Sequence, residues 1–298
     1  MSDDSAAPRG APNSILIRAA PGLFVLLWAT GFIGAKLGLP YAEPLTFLLA
    51  RYVLVGSLLL IVTLVSRAPW PRSPREAAHI VVAGLLVHAI YLGGVFSAIH
   101  KGLPSGVVAL IAGLQPLLTA VWASLLLGEH VSARNWLGLA LGLVGVALVL
   151  WDKLVFSVES LGAASLAFLA LFGITVGVLY QKRYCAHMDL RSGSVIQYFA
   201  AALATALVAP LTETMQIEWS GNFIFALTWL VLVLSLGAIS LLYLLIRHGQ
   251  ASRVASLFYL VPPVTAVLAF LFFGESLGPS ALFGMAITVV GVALALKS

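Results

Sequence analysis

The chain holds a single cysteine, Cys185, which excludes an intrachain disulfide and any cysteine-rich metal or redox motif. Charge is scarce as well: Asp, Glu, Lys and Arg supply 9% of 298 residues, against about a quarter in ordinary soluble domains. So few polar groups cannot face water over a whole folded surface. Catalytic signatures are also missing. There is no GxxxxGK[ST] phosphate loop, so the chain does not use ATP through that motif, and neither HExxH nor GxSxG occurs. No His, Asp and Glu cluster has metal-ligand spacing, which speaks against an intramembrane enzyme and implies neither a metal nor another cofactor. The net charge of +5 and pI near 9.5 do not indicate nucleic acid, because no basic stripe interleaved with aromatics accompanies them.

What the chain does have is apolar sequence: 61% hydrophobic residues and a mean hydropathy of +1.06. It divides into ten runs of about the twenty residues that a transmembrane helix needs. These lie at Ala20 to Leu39, Pro44 to Val65, Ala78 to Ile99, Pro104 to Leu127, Asn135 to Trp151, Ser160 to Gln181, Ser192 to Leu211, Phe223 to Ile246, Ala251 to Phe273 and Pro279 to Leu296. A polar N-terminal tail, residues 1–19, precedes the first run. That run lacks a small-residue cleavage site and reads as a span, not a signal peptide. The longest connections, Ser66 to Glu76 and Thr212 to Asn222, are too short to hold a water-soluble domain.

Lys and Arg are retained in cytoplasmic loops, and their placement fixes an expected orientation. With the N-terminus inside, Arg9, Arg18, Arg67, Arg72, Arg75, Arg134, Lys182, Arg183, Arg191, Arg247, Arg253 and Lys297 fall on the cytoplasmic side, and only Lys101 and Lys153 outside. Both termini are then cytoplasmic. The same asymmetry accounts for the basic pI with no anionic partner beyond lipid headgroups.

The chain also nearly repeats itself at an offset of 146 residues. Pro104 to Leu150 and Gln250 to Leu296 agree without a gap at roughly 19 of 47 positions, including Pro116/Pro262, Thr119/Thr265, Gly128/Gly274, Glu129/Glu275, Gly138/Gly284 and Gly145/Gly291. Apolar bias alone does not match Pro, Glu and spaced Gly. Fainter matches continue upstream at Gly31/Gly177, Lys36/Lys182 and Tyr52/Tyr198. Five spans per copy is an odd number, so the copies, residues 20–151 and 152–298, must cross the membrane in opposite senses. The expected fold is an all-α membrane protein: ten transmembrane helices in two inverted five-helix repeats around a central cavity, an arrangement common in secondary transporters.

Pro116 and Pro262 sit near the centres of the fourth and ninth runs. Each removes a backbone hydrogen bond, leaving carbonyls such as those of Ala112 and Phe258 free beside a cavity, in a fixed bend or a moving hinge. Gly138, Gly142 and Gly145, echoed by Gly284, Thr288 and Gly291, allow close helix approach, either inside a monomeric bundle or at a homodimer contact. Ionisable groups inside the runs are few. Lys36 snorkels outward with Glu43 as a partner, and Arg51 binds helix-end carbonyls or meets a substrate carboxylate. Every Asp and Glu falls at a helix end or in a loop, so no carboxylate stands at midplane for proton or cation coupling. His88, Tyr91 and Gln115 do stand there, with His88 and Tyr91 on one helix face, and the histidine either faces a solute or is satisfied by a neighbouring helix. Together with Trp28, Tyr259 and Arg51 they are the candidate cavity residues, and Trp122, Tyr180 and Tyr243 either join them or face lipid.

The segment AGLQPLLTAVWASLLLGEHVSARNWLGLALGLVGVALVL and its echo YLVPPVTAVLAFLFFGESLGPSALFGMAITVVGVALAL resemble the two EamA repeats of the drug/metabolite transporter (DMT) superfamily. Trp28 to Lys36, followed by Leu49, Ala50, Arg51 and Tyr52, resembles the start of the first repeat. Leu171 and Phe172 depart from the second, where Trp is frequent. The resemblance implies a ten-helix bacterial inner-membrane transporter that exports amino acids or other small metabolites, as YddG-type amino-acid exporters do. The expected mechanism is alternating access by one chain acting as a uniporter. Proton-linked drug or metabolite export, with His88 titrating, and a non-transporting membrane scaffold are the alternatives.

Overall fold

The computed structural model describes residues 14–119, 122, 133–154, 158–238, 241, 257–275 and 277–296. Glu129, Tyr243, Arg247 and Arg253 lie outside them, as does the Tyr259 side chain. The described residues are helical almost throughout, joined by one isolated antiparallel bridge, Ala42 to Ile217. Among the described residues six helices are long and apolar enough to cross a membrane: Ala19–Gly38, Pro44–Val65, Pro74–His100, Leu161–Tyr184, Leu190–Thr212 and Gly221–Ala238. Four shorter apolar helices, Ser105–Thr119, Trp136–Leu148, Val261–Phe273 and Pro279–Gly291, accompany them. Their lipid-facing positions remain apolar and exposed, as Leu64, Leu207, Leu211 and Phe272 illustrate. The chain is therefore a multi-pass membrane protein.

We number the α-helices α1 Ser14–Gly38, α2 Pro44–Val65, α3 Pro74–Gly84, α4 Tyr91–His100, α5 Ser105–Ala112, α6 Ala133–Leu154, α7 Val158–Tyr184, α8 Leu190–Thr212, α9 Gly221–Thr228, α10 Val261–Phe273 and α11 Pro279–Leu296. The main packing pairs are α6 with α11, α2 with α8, α5 with α10, α4 with α7, and α1 with both α10 and the π-helix Trp229–Ala238. Glycine sets the closest of these. A Cβ on Gly145 would stand 2.4 Å from the Gly284 carbonyl oxygen, and one on Gly291 would stand 2.8 Å from that of Gly138. The repeated glycine faces are thus consumed within one chain, between α6 and α11.

The two prolines break helices where the sequence suggested bends within them. The fourth run turns at Gly113 and Leu114 and resumes at Gln115, where Pro116 falls in a first turn. Pro262 likewise sits in the first turn of α10, after the 3-10 turn Phe258–Leu260. A helix start tolerates proline because no intrahelical acceptor awaits its missing N–H.

One end of the bundle is tied by carboxylates. Gly274, in the left-handed region at φ 64°, ends α10. Glu275 then accepts from the Ser105 amide and hydroxyl, both at 3.1 Å, and so caps α5. Glu275 also pairs with Lys36. The expected partner Glu43 instead accepts from the amide and hydroxyl of Thr214, both at 2.6 Å. Glu213 reciprocates by accepting from the Leu45 amide at 2.7 Å and the Thr46 amide at 2.8 Å at the start of α2. Acidic groups at helix N-termini satisfy orphan N–H donors and complement the helix dipole. Beneath them Phe47 packs on Phe96 and Phe223, with centroids at 5.4 and 4.9 Å, which seals this end with aromatic surface.

Candidate functional site

A cavity of about 620 Å³ runs from the middle of the bundle toward the end opposite the carboxylates. Its inner walls carry Trp28, His88, Tyr91, Gln115, Pro116, Tyr198 and Phe258, and its wider part reaches Gln181, Lys182, Cys185, Met188 and Ser194. That volume is in the range of small-molecule sites, which are mostly apolar with a few placed polar groups. Four expected residues, His88, Tyr91, Gln115 and Trp28, are therefore brought to one space. Arg51 lines an adjoining recess of about 170 Å³ that shares the Trp28, His88, Tyr91 and Tyr198 walls.

The inner wall owes its shape to a local distortion. Residues Leu85–Ile90 form a π-helix between α3 and α4, with His88 inside it. Such wide turns are rare and concentrate at functional sites. Tyr52, fully buried on α2, donates its hydroxyl to the His88 carbonyl at 2.8 Å, which anchors the π-turn. Tyr198 on α8 stacks on the His88 ring at 4.2 Å and 25°. His88 Nδ1 is buried and has no hydrogen-bond partner. The second π-helix, Trp229–Ala238, contributes Ser235, whose hydroxyl donates to the Leu230 carbonyl at 2.9 Å and accepts from Arg51 Nη2 at 3.2 Å.

Arg51 is 3% exposed. Helix-end carbonyls, one of the two sequence alternatives, are not what it meets: its protein partner is the Ser235 hydroxyl, and Nε has no partner. Among the described residues no carboxylate pairs with it. A charge at such depth costs about 3 kcal/mol unless it finds a partner. Gln115 donates to Thr119 at 2.9 Å within its own helix, leaving its carbonyl oxygen for other use. Trp28, Phe24 and Phe258 form an aromatic corner, with Trp28 and Phe258 edge-to-face at 5.1 Å. Trp122 is 40% exposed, and Tyr180 binds His79 Nδ1 at 2.7 Å away from the inner wall.

The sequence reading did not select Tyr198, Gln197, Gln181 or Ser235. A signal existed for two of them: at the 146-residue offset Tyr198 is the counterpart of Tyr52, and Gln197 that of Arg51.

A multi-pass helical bundle around a solute-sized, mostly apolar cavity, tied shut at one end, defines a membrane transporter. The chain belongs to the EamA-like transporter family, which matches residues 22–151 and 161–297. It is 28% identical over 272 residues to the uncharacterized transporter YvbV of Bacillus subtilis (strain 168), covering 91% of this chain and 88% of that one. It is 25% identical over 281 residues to a probable amino-acid metabolite efflux pump of Escherichia coli (strain K12), covering 91% of each. A solved crystal structure of a protein at 20% identity superposes with a TM-score of 0.66 over 94% of this chain and 96% of its own, a likeness of fold.

Proposed function

We propose that this transporter exports amino acids, aromatic or otherwise hydrophobic ones above all, from the cytoplasm across a bacterial inner membrane. It works by alternating access between two inverted five-helix halves of a ten-span bundle with both termini cytoplasmic. The observation that carries the reading is the cavity: it reaches the Lys182 end, cytoplasmic by the Lys and Arg distribution, while carboxylates and aromatics tie the other end. In that orientation the chain awaits a cytoplasmic solute. Trp28, Tyr91, Tyr198 and Phe258 offer aromatic surface to a side chain, and His88 and Gln115 offer hydrogen bonds to its polar end.

The helix pairing supports two inverted halves. At the 146-residue offset, α2 with α8 and α6 with α11 each join an element to its counterpart, α5 with α10 joins parts of the matching fourth and ninth runs, and α1 with the second π-helix exchanges with α7 with the first. The first π-helix, shifted by 146, falls at 231–236 inside the second.

Among the described residues no carboxylate lines the cavity, which supports uniport. A zwitterion carries no net charge across the membrane, so a potential worth about 2.3 kcal/mol per charge per 100 mV neither drives nor opposes it. Efflux of radiolabelled phenylalanine from proteoliposomes tests the reading. Saturable efflux that ignores an imposed pH gradient is expected. Efflux accelerated by the gradient would make the carrier proton-linked, and no flux across a panel of amino acids would refute amino-acid export.

A further inference from the structure

Arg51 is a buried cation with unused donors beside a recess, and no anion among the described residues answers it. A guanidinium has five N–H donors and no acceptor. Here Nη2 meets Ser235 at 3.2 Å and Nε meets nothing. The recess of about 170 Å³ beside it adjoins the main cavity, with Trp28, His88, Tyr91 and Tyr198 as shared walls. His88 Nδ1, also unpartnered and buried, lies on the same wall. Among the described residues the main cavity adds one further cation, Lys182, and neither space is lined by Asp or Glu. A positively charged group in an aromatic, low-dielectric recess needs an anion, and the forked guanidinium fits the two oxygens of a carboxylate. No lining group, by contrast, pairs the charge of an ammonium.

We propose that the Arg51 recess is the anion subsite of the transport cavity, and that a solute is selected by its carboxylate and not by its amine. The inference rests on the cavity being the transport site. It narrows the solute class to small monocarboxylates with an aromatic or apolar body, whether or not an amino group is present. It sets decarboxylated amines and cationic drugs outside that class.

Binding to the purified full chain in nanodiscs tests this with three probes that share one ring and differ in charge: phenylalanine, 3-phenylpropionate and phenethylamine. Both acids are expected to bind the wild type, with phenethylamine at least about tenfold weaker, the scale of one charge-assisted hydrogen bond. Arg51→Gln should weaken both acids by at least about tenfold, and Arg51→Lys should keep part of the acid preference by retaining the charge without the fork. Phenethylamine binding the wild type as tightly as the acids would overturn the subsite and needs no variant. So would a folded Arg51→Gln that holds phenylalanine at wild-type affinity. Either result leaves the amino-acid reading standing, and failure of both acids to bind the wild type overturns the subsite while the flux panel decides the amino-acid reading.

Discussion

His88 shows how far single residues explain the cavity. Its ring is held by Tyr198 at 4.2 Å, and its backbone by the Tyr52 hydroxyl at 2.8 Å. Removing the imidazole leaves that backbone anchor intact. His88→Ala is therefore expected to fold and express normally while losing about tenfold in phenylalanine flux, the cost of one hydrogen bond to a charged group. Flux equal to wild type at matched protein level would make the ring structural. Glu43 lends itself to a pH test. The Thr214 hydroxyl and amide that donate to it hold its carboxyl below the usual range. A folded-state value below the unfolded one means the contribution is present above the unfolded value and fades as pH falls through the depressed one. The melting temperature of Glu43→Gln should lie below wild type at pH 7 and converge with it in acid. Residue types were legible in the sequence, but partners were not. Lys36 and Glu275 are 239 residues apart, and Arg51 and Ser235 are 184 apart. No local pattern announces such pairs.

At the scale of elements, α6 against α11 is where sequence and structure agree most closely. The paired glycines stand out in an apolar chain because each removes a side chain where two backbones meet. Gly145→Leu places atoms against the Gly284 carbonyl and the Thr288 amide, 2.4 and 2.8 Å from where its Cβ falls. Backbone cannot step aside as a flexible side chain can, so a loss of about 1–3 kcal/mol is expected in thermal melting. Gly22→Ala, with nothing within 4 Å of the added Cβ, serves as the neutral control. Glu213→Ala removes both caps from the start of α2 and should cost about 0.5–2 kcal/mol in the same measurement. The π-helices had no comparable signature. Residues Leu85–Ile90 read LLVHAI, as apolar as any helix here, and the wide turn depends on Tyr52 arriving from another helix. The prolines were visible, but whether a helix bends or breaks at them depends on the turn before, as at Gly113 and Leu114.

For the whole molecule the repeat offset was the most legible feature: Pro116 and Pro262 both fall at helix starts, and the Gly-Glu of the second copy falls at a helix end, its counterpart Gly128 and Glu129 lying outside the described residues. Gly274 and Glu275 give that pairing its physical sense: the glycine ends α10 and the glutamate caps α5. The proposed orientation is open to labelling in intact cells. Burial pushes the Cys185 thiol up and slows its reaction, so introduced cysteines in a Cys185→Ser background are the better reporters. Gln216→Cys, on an exposed loop of the carboxylate end, should react with an impermeant maleimide, and Arg72→Cys at the other end should not. Alternating access makes the stronger demand, because the carboxylate end must open in each cycle. The most direct test joins Ser105 and Glu275, whose side chains meet at 3.1 Å across that end. A Ser105→Cys, Glu275→Cys variant in the same background should carry phenylalanine when reduced, stop when cross-linked by a short bifunctional thiol reagent with a cleavable disulfide, and recover with dithiothreitol. Cross-linked protein that transports at the reduced rate would contradict a cycle that opens this end.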